Sequence, residues 1–184
     1  TPVIEAVKAR FDVPVSLDTY KAEVAKAGIA AGIDLINDIW GLKYDQALAK
    51  VIADTKVACC LMHNRAELTD AAVTDTVIRE LQETLQIAGT AGIADDKIIL
   101  DPGIGFGKTR EQNLAMIHNL EKLDSLGYPI LLGTSRKSVI GLTLDLPVNA
   151  RLEGTLVTTV FGVLKGCSFI RVHDIKENVR TVRM

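Results

Sequence analysis

Six short apolar runs, each followed by polar residues and then by a helical pattern, place the strongest constraint on how this chain can fold. Short apolar strands that alternate with helices are typical of a parallel sheet, because each parallel connection needs a long crossover that a helix usually supplies. The sequence predicts strands at 13–17, 35–36, 57–62, 98–100, 129–133 and 169–172. We therefore predict an α/β fold with a parallel sheet covered by helices.

Helical periodicity fills the segments between these strands. Apolar residues recur every four positions from Val73 to Leu85, which is the spacing of one helix face. Thr109 and Gln112 have the spacing of a capping box at the start of a helix that carries the apolar positions 114 to 123. The other predicted helices cover 2–11, 20–31, 46–53, 73–88 and 151–165. The first of them has the pattern of the last turns of an amphipathic helix, so the chain is expected to begin within a helix.

Polar residues at the strand ends favour a closed barrel over an open doubly wound sheet. In a barrel the carboxyl ends of all strands converge on one mouth, whereas in an open sheet only the strands near a switch point contribute to a site. Polar residues lie at or just past the carboxyl end of every predicted strand, namely Asp18, Asn37, His63, Asp101, Lys137, Arg171 and His173. We therefore predict a TIM-type (β/α)8 barrel.

Chain length limits how much of such a barrel can be present. Eight strand–helix units need at least about 200 residues, and this chain has 184 residues with six predicted strands. We expect six of the eight units, with the first two absent, in a single domain over residues 1–184. An open six-stranded sheet would leave two unpaired edges, which another chain would have to cover.

Composition excludes several classes of protein. The net charge is only −2 and the basic residues are scattered, which does not indicate a nucleic-acid partner. No apolar run reaches the length of a membrane span, and the first ten residues lack the order of a signal peptide. Cys59, Cys60 and Cys167 have neither disulfide nor zinc spacing. We expect a cytoplasmic protein with reduced thiols; a nucleophilic role for Cys60 stays open.

A glycine-rich loop follows the fourth predicted strand. Asp101 ends the strand, and Gly103, Gly105 and Gly107 follow it before Lys108. Such a junction can hold a carboxylate against a ligand, because glycines allow unusual backbone angles and close approach. It can also be a mobile strand-to-helix connection. The loop alone does not decide between these interpretations.

The strand-end motifs together resemble the bacterial dihydropteroate synthases. The motifs lie in the same order and at similar spacing, and the likeness runs from Val3 to Asn178. They are Leu-Asp-Thr at 17–19, Ile-Asn-Asp-Ile at 36–39, Leu-Met-His-Asn at 61–64, Asp-Pro-Gly-Ile-Gly-Phe-Gly-Lys at 101–108, Gly-Thr-Ser-Arg-Lys-Ser at 133–138 and Arg-Val-His-Asp at 171–174.

The resemblance implies an eight-stranded barrel that joins 6-hydroxymethyl-7,8-dihydropterin pyrophosphate to p-aminobenzoate and releases pyrophosphate. It also implies Mg²⁺ as cofactor and a homodimer formed by later helices, for which the apolar surface of the 152–164 helix is suited. The family's first two strands, which carry the Asn ligand of the magnesium and a Thr-containing loop, have no counterpart in this chain. We therefore expect no metal ligand among these residues.

Three side chains have the chemistry that a pterin requires. A carboxylate can accept two N–H groups from the aminopyrimidinone edge in charge-assisted hydrogen bonds, and Asp101 fits this task. Asn37 offers a donor and an acceptor to the remaining edge, and Lys137 can donate to the ring carbonyl and a ring nitrogen. The structural alternatives are a helix cap for Asp101, a turn for Asn37 and a solvated Lys137.

The resemblance assigns Asp18 to the reacting carbon. If the C–O bond to pyrophosphate breaks before the amine attacks, a fixed carboxylate stabilises the positive charge on the pterin. The structural alternative is an N-cap for the following helix. With Asp101, Lys137 and Arg171, Asp18 completes the expected catalytic set.

Arg171 and His173 alternate along the predicted last strand, which places them on one face. A planar cation beside an imidazole suits a pyrophosphate group, and the guanidinium can also stack on the pterin. The alternative is an ion pair of Arg171 with Asp174 or Glu177.

The remaining site residues follow from the resemblance. Those expected to line the pterin pocket are Ile39, Met62, Phe106 and Gly133. Those expected to hold p-aminobenzoate are Gly105, Phe106, Arg136 and Ser138.

Two other functions stay open. A methyltetrahydrofolate-binding methyltransferase uses a related barrel, but methyl transfer has no pyrophosphate to bind, which disfavours it given the motifs at 135–137 and 171–173. A non-catalytic pterin-binding fragment is the other alternative, because the first two units are absent.

Overall fold

The computed structural model describes residues 1–69 and 72–184, and in this part of the chain it contains six strands. They are β1 (Ser16–Asp18), β2 (Leu35–Asp38), β3 (Ala58–Met62), β4 (Ile98–Asp101), β5 (Leu131–Leu132) and β6 (Phe169–Ile170). The first four form one sheet in chain order, and β5 pairs with β6 in a second. The pairs β1–β2, β2–β3 and β5–β6 are parallel. The predicted α/β class is confirmed.

Helices precede and follow these strands. They are α1 (Pro2–Arg10), α2 (Ala22–Ala30), α3 (Gln46–Thr55), α4 (Val73–Ala91), α5 (Arg110–His118), α6 (Ser138–Leu144), α7 (Leu152–Leu164) and α8 (Ile175–Arg183). Short 3-10 helices cover Asp95–Lys97, Leu120–Leu126 and Val148–Ala150. Each predicted helix is present, but α6 and α8 were not predicted, and α5 ends before the 3-10 turn that carries Leu120 and Leu123.

Several predicted strand boundaries were too wide. The first strand begins at Ser16 rather than at position 13, which is consistent with Pro14, since proline lacks an N–H for the ladder. The last strand ends at Ile170, so the predicted bound at 172 was wrong and Arg171 and His173 follow the strand. Exposure still alternates along 170–174, with Arg171 and His173 both exposed, and their placement on one face stays a prediction.

The capping box predicted before α5 is confirmed. The Thr109 hydroxyl accepts a hydrogen bond from the Gln112 backbone N–H at 3.2 Å, and the Gln112 side chain accepts one from the Thr109 N–H at 2.9 Å. These bonds satisfy two donors that a helix start otherwise leaves unpaired. They fix where the chain leaves the glycine-rich loop.

The described residues divide into two compact units. That residues 1–184 form a single domain stays a prediction. Unit 1 comprises Thr1–His63 and Glu80–Leu100. Its fully buried side chains include Ile36, Leu48, Ile52, Leu61, Leu81 and Leu100 from β2, β3, β4, α3 and α4, and Leu42 from the segment after β2. By contrast α1 has no buried residue, and Ser16 and Asp18 of β1 are exposed.

Unit 2 comprises Asn64–Arg79 and Asp101–Met184. Helix α7 packs tightly on the β5–β6 pair through Gly162. A Cβ atom at Gly162 would lie 2.7 Å from Leu132 Cδ2 and 2.8 Å from Ile170 Cδ1. A larger residue at this position would therefore make the ends of these two side chains shift. The fully buried apolar side chains of this unit include Ile104, Met116, Leu120, Leu123 and Leu132.

The three cysteines all lie in the described part of the chain and form no disulfide. Burial raises the pKa of Cys59 to about 12 and that of Cys167 to about 11. Cys60 is wholly buried inside β3, which does not suit a nucleophile that must meet a substrate.

Within residues 1–69 and 72–184, no helix has both the length and the apolar character needed to cross a bilayer.

Candidate functional site

Asp101, the last residue of β4, lies at the centre of a polar cluster in unit 2. Its side chain is buried, with the residue only 5% exposed, and its Oδ1 accepts a hydrogen bond from the Gly103 N–H at 2.7 Å. This bond holds the start of the glycine-rich loop and leaves Oδ2 on the side of Gly133. Asp101 is not a helix cap, because the N-cap of α5 is Thr109.

A small open space next to Gly133 is bordered by both charges of the cluster. A Cβ atom at Gly133 would lie 3.8 Å from Lys137 Nζ and 3.9 Å from Asp101 Oδ2. It would also lie 4.0 Å from Arg171 Cβ. Any larger residue at 133 would fill this space. The predicted residues Asp101, Gly133, Lys137 and Arg171 are therefore brought together.

Burial and mutual attraction act in opposite directions on the two charged groups. Burial raises the pKa of Asp101, against the lowering effects of Lys137, the Gly103 N–H, Lys108 and Arg171. Burial likewise lowers the pKa of Lys137, which Asp101 partly opposes. Each charge is thus costly in its place, and groups that hydrogen-bond to the charged forms would offset this cost.

Lys137 runs along the glycine-rich loop and is not a solvated side chain. Its Nζ donates to the Ile104 carbonyl at 2.5 Å and lies 4.9 Å from the centre of the Phe106 ring. A Cβ atom at Gly105 would lie 3.2 Å from Lys137 Cδ. The loop and the lysine stem therefore fit together closely.

Internal hydrogen bonds hold the glycine-rich loop. The Asn113 side chain accepts from the Gly105 N–H at 2.7 Å and donates to the Lys108 and Thr109 carbonyls at 3.1 and 2.8 Å. Lys108 Nζ donates to the Gly103 carbonyl at 2.9 Å. Such a bonded network disfavours the interpretation of a mobile connection. Asn113, which is 2% exposed, was not predicted.

Backbone crowding also fixes the end of this loop. Gly107 has φ +59, and a Cβ atom there would lie within 1.9 Å of the Arg65 carbonyl oxygen. The Gly107 carbonyl in turn accepts from the Leu68 N–H at 2.7 Å. Only glycine is compatible with both the backbone angle and the space.

Arg171 and His173 leave the end of β6 in extended chain. The Arg171 N–H donates to the Leu132 carbonyl at 2.9 Å, which continues the β5–β6 pairing by one bond. Ser135 Oγ lies 2.9 Å from His173 Nδ1 and accepts from the His173 N–H at 3.2 Å. Both Arg171 and His173 are exposed, so a ligand can reach them. Ser135, which orients the imidazole, was not predicted as a site residue.

Asp174 pairs with Arg136. Arg136 Nε donates to Asp174 Oδ2 at 3.0 Å, and Arg136 Nη2 donates to Oδ1 at 2.5 Å. This contact disfavours the alternative of an ion pair between Arg171 and Asp174, and the alternative of a pair with Glu177 stays open. Ser138 is the exposed first residue of α6, after Lys137 at the N-cap. The assignment of Arg136 and Ser138 to p-aminobenzoate stays a prediction.

Asp18 and Asn37 are neighbours across β1 and β2 in unit 1. They are register partners in this parallel pair. Asp18 is exposed and does not cap α2, whose N-cap is Lys21. Asn37 belongs to the strand rather than to a turn, and it is 4% exposed. The Asn37 backbone carbonyl accepts a hydrogen bond from the Thr19 N–H at 3.1 Å.

Ile39 and Met62 follow the same strand ends. Ile39 is half-buried directly after β2, in a turn held by the buried Asp38 carboxylate, which accepts from the Trp40 and Leu42 N–H groups. Met62 is the last residue of β3 and is 3% exposed. His63 is buried beside it, with Nε2 at 2.9 Å from Glu80 Oε2. The predicted strand-end residue His63 is thus paired with Glu80 within unit 1.

Comparison with known proteins agrees with this geometry. The model of the family described as pterin binding enzyme matches residues 1–173. The chain belongs to this family of pterin-binding enzymes. It is 57% identical over 184 residues to the dihydropteroate synthase of Clostridium beijerinckii, covering all of this chain and 68% of that protein. Within the family, the chain therefore belongs to the dihydropteroate synthases.

Solved structures support the same assignment. A dihydropteroate synthase from Clostridium difficile, crystallised in the presence of pteroic acid, matches with a TM-score of 0.97 and 44% identity over 100% of this chain and 70% of that one. The Xanthomonas albilineans enzyme with 4-aminobenzoic acid matches with a TM-score of 0.95 and 35% identity, over 99% of this chain and 67% of that one.

The expected TIM-type barrel class is confirmed by these neighbours. The chain spans about two thirds of the length of the curated relatives it matches. This agrees with the expectation of six strand–helix units out of eight.

Replacing Asp101 with Asn is expected to raise the stability of the ligand-free chain at neutral pH. Because burial raises the pKa of Asp101 above its ordinary value of 3.8, the charged form is disfavoured in the folded state. The stability that the protonated Asp101 contributes is therefore fully present below about pH 3.8, its ordinary pKa. This stability is lost as the pH rises through the raised pKa of the folded state. The gain from Asp101→Asn should accordingly be absent in acid and grow towards neutral pH.

Urea unfolding from about pH 4 to about pH 8 checks this expectation. Asp96→Asn is the matched control, because Asp96 is an exposed acid and its replacement should give no comparable trend. A loss of stability for Asp101→Asn that is largest at neutral pH would contradict the burial argument.

Proposed function

We propose that this chain binds 6-hydroxymethyl-7,8-dihydropterin pyrophosphate and p-aminobenzoate and joins them as a dihydropteroate synthase, within the cytoplasm. The observation that carries the proposal is the buried Asp101 carboxylate beside Lys137, next to the open space at Gly133. Its membership of the dihydropteroate synthases supplies the reaction.

The pterin would bind by replacing solvent at the buried charges. A carboxylate has about four lone-pair sites, and the Gly103 N–H takes one of those on Asp101. The remaining sites can accept the adjacent N–H groups of an aminopyrimidinone edge. Lys137 Nζ, which donates to the Ile104 carbonyl, has two further hydrogens for the ring carbonyl and a ring nitrogen. Both sets of bonds stabilise the charged forms that burial disfavours.

The flat ring of a pterin suits the walls of this space. Gly133 adds no side chain between Asp101 and Lys137, and the Phe106 ring centre lies 4.9 Å from Lys137 Nζ. Arg171 extends from the same region, and its planar guanidinium can stack on an aromatic ring. The family resemblance further assigns Ile39 and Met62 to the pocket, and Gly105 and Ser138 to p-aminobenzoate.

Arg171 and His173 would hold the pyrophosphate as it leaves. Ser135 Oγ already accepts from the His173 backbone N–H, so we assign its own hydroxyl hydrogen to His173 Nδ1. The imidazole hydrogen then resides on Nε2 and points away from Ser135 as a donor. A guanidinium and an N–H donor on exposed chain are suited to phosphate oxygens.

The reaction needs no protein nucleophile. The C–O bond between the pterin methylene and pyrophosphate breaks, the p-aminobenzoate nitrogen forms the new C–N bond, and the amine loses a proton. Positive charge on the methylene would be stabilised by a nearby carboxylate, the role that the family resemblance gives to Asp18. The buried Asn37 is assigned to the pterin by the same resemblance.

Mg²⁺ would neutralise pyrophosphate charge in this family, but the described residues contain no cluster of three or more side chains suited to hold a metal ion. Mg²⁺ as cofactor therefore stays a prediction from the family resemblance. No step is assigned to it.

Replacing Arg171 with Ala is expected to weaken binding of the pyrophosphate substrate far more than binding of 6-hydroxymethylpterin, which lacks phosphates. The guanidinium contacts both ligands in this account, but charge-assisted bonds form only with the phosphates. A loss of about ten-fold or more for the first ligand, against a few-fold for the second, is the expected difference. Calorimetric titration of each ligand measures it.

Arg110→Ala is a suitable control, since Arg110 is an exposed arginine of the same unit whose guanidinium pairs with Glu111. Equal losses on both ligands for Arg171→Ala would argue that Arg171 is structural. Turnover separates the enzyme from the alternative of a non-catalytic fragment. If the chain binds pterin but forms no dihydropteroate with both substrates and Mg²⁺ present, the fragment interpretation is correct.

We also propose that the chain forms a homodimer through α7. This helix exposes Val157, Val160, Phe161 and Leu164, and a groove of about 410 Å³ between α5, α6 and α7 has an almost entirely apolar lining. Exposed apolar surface of this kind is typical of a protein interface.

Replacing Val157 with Glu is expected to convert the dimer to monomers, because it would bury a charge in an apolar contact. Light scattering at several concentrations measures the mass. Val24→Glu, at a similarly exposed valine of α2, should leave the dimer intact. A wild-type chain that is monomeric at all concentrations would contradict the proposal.

A further inference from the structure

Arg136 has a backbone conformation that residues other than glycine seldom adopt. Its φ is +58, in the left-handed region, which costs roughly 1 kcal/mol for such a residue. The next residue is Lys137, the N-cap of α6. The direction in which Lys137 leaves the strand therefore depends on what holds Arg136 in this conformation.

Residues of α7 and its N-cap hold the Arg136 backbone from both sides. The Arg136 N–H donates to Thr155 Oγ1 at 3.2 Å, and the Arg136 carbonyl accepts from Arg151 Nη1 at 2.9 Å. The Thr155 hydroxyl in turn donates to the Arg151 carbonyl at 2.8 Å. Thr155 thus links the site turn to the first turn of a long helix.

The side chains on either side of this contact are also fixed. Thr155 is fully buried, so water cannot replace its hydroxyl. The Arg151 guanidinium donates to the Leu146 carbonyl at 3.0 Å and occupies the space beside Gly141, where a Cβ atom would lie 2.1 Å from Nη2. Asp174 takes up the guanidinium of Arg136 itself.

We propose that Thr155 is a positioning residue, which acts on the pterin through Lys137. By holding Arg136 in the left-handed conformation, it directs Lys137 along the glycine-rich loop and places its ammonium within 4 Å of the open space at Gly133. In this role Arg136 serves the site through its backbone, while its guanidinium is bound to Asp174. The inference rests on the proposed role of Lys137 in pterin binding.

The test compares threonines of the same helix. Thr155→Val keeps the shape but removes the hydroxyl, whereas Thr155→Ser keeps the hydroxyl. Thr159→Val is the matched control, because Thr159 is also fully buried in α7 but donates to Asn178 of α8 instead of contacting the site turn. Calorimetric titration with 6-hydroxymethylpterin and thermal unfolding are measured for each variant.

Thr155→Val is expected to weaken pterin affinity about five-fold, the effect of one lost hydrogen bond. Thr155→Ser should restore affinity to within about two-fold. Thr159→Val should lower the melting temperature by a similar amount and leave affinity unchanged. In a Lys137→Ala background, Thr155→Val should have no further effect on affinity, because the residue through which it acts is gone.

Three results would overturn the inference. They are unchanged affinity in Thr155→Val, an equal loss in Thr159→Val, or the same loss in the presence and absence of Lys137. If Thr155→Val does not fold, the Asp174→Asn variant is measured instead. Asp174 is partly exposed, and its replacement weakens the contact that holds the Arg136 side chain. Asp174→Asn should weaken pterin binding only when Lys137 is present. Should Lys137→Ala itself leave affinity unchanged, the proposed pterin site fails as well.

Discussion

A carboxylate held out of water at the end of a strand is the constraint on which the candidate site depends. Burial alone would favour the neutral form of Asp101, and Lys137 is the largest of the effects that oppose it. Both groups border one small space beside Gly133. A ligand that donates to the carboxylate and accepts from the ammonium satisfies both, which is why a pterin edge suits this site better than an apolar ligand does.

Two sets of hydrogen bonds hold these charges in place. Asn113 bonds to the middle of the glycine-rich loop at Gly105 and to its end at Lys108, and so fixes the Ile104–Gly105 peptide, whose carbonyl accepts from Lys137. Thr155 and Arg151 hold the peptide before Lys137 from the other side. Because each contact lies on a helix, α5 or α7, the precision of the site comes from helix packing in unit 2 and not from the loops themselves.

The sequence predicted the strands, six of the helices and the strand-end residues, because buried apolar runs and capping patterns are local signals. The sequence did not predict features that depend on contacts between distant segments of the chain. Arg171 and His173 lie beyond the strand, since β6 pairs for only two residues, and the partner of Asp174 is Arg136, 38 positions away. Asn113 and Thr155 gave no signal, because a polar residue in a helix pattern does not reveal that it is buried.

The most direct test of the account is calorimetric titration of 6-hydroxymethylpterin into the wild-type chain and the Asp101→Asn variant at neutral pH. Asn can still accept from the Gly103 N–H, but it lacks the charge and the full acceptor capacity that the pterin edge requires. The account predicts that affinity falls by more than about ten-fold, which is the range expected for charge-assisted bonds. An affinity equal to that of the wild-type chain would contradict the assignment of Asp101 as the pterin anchor.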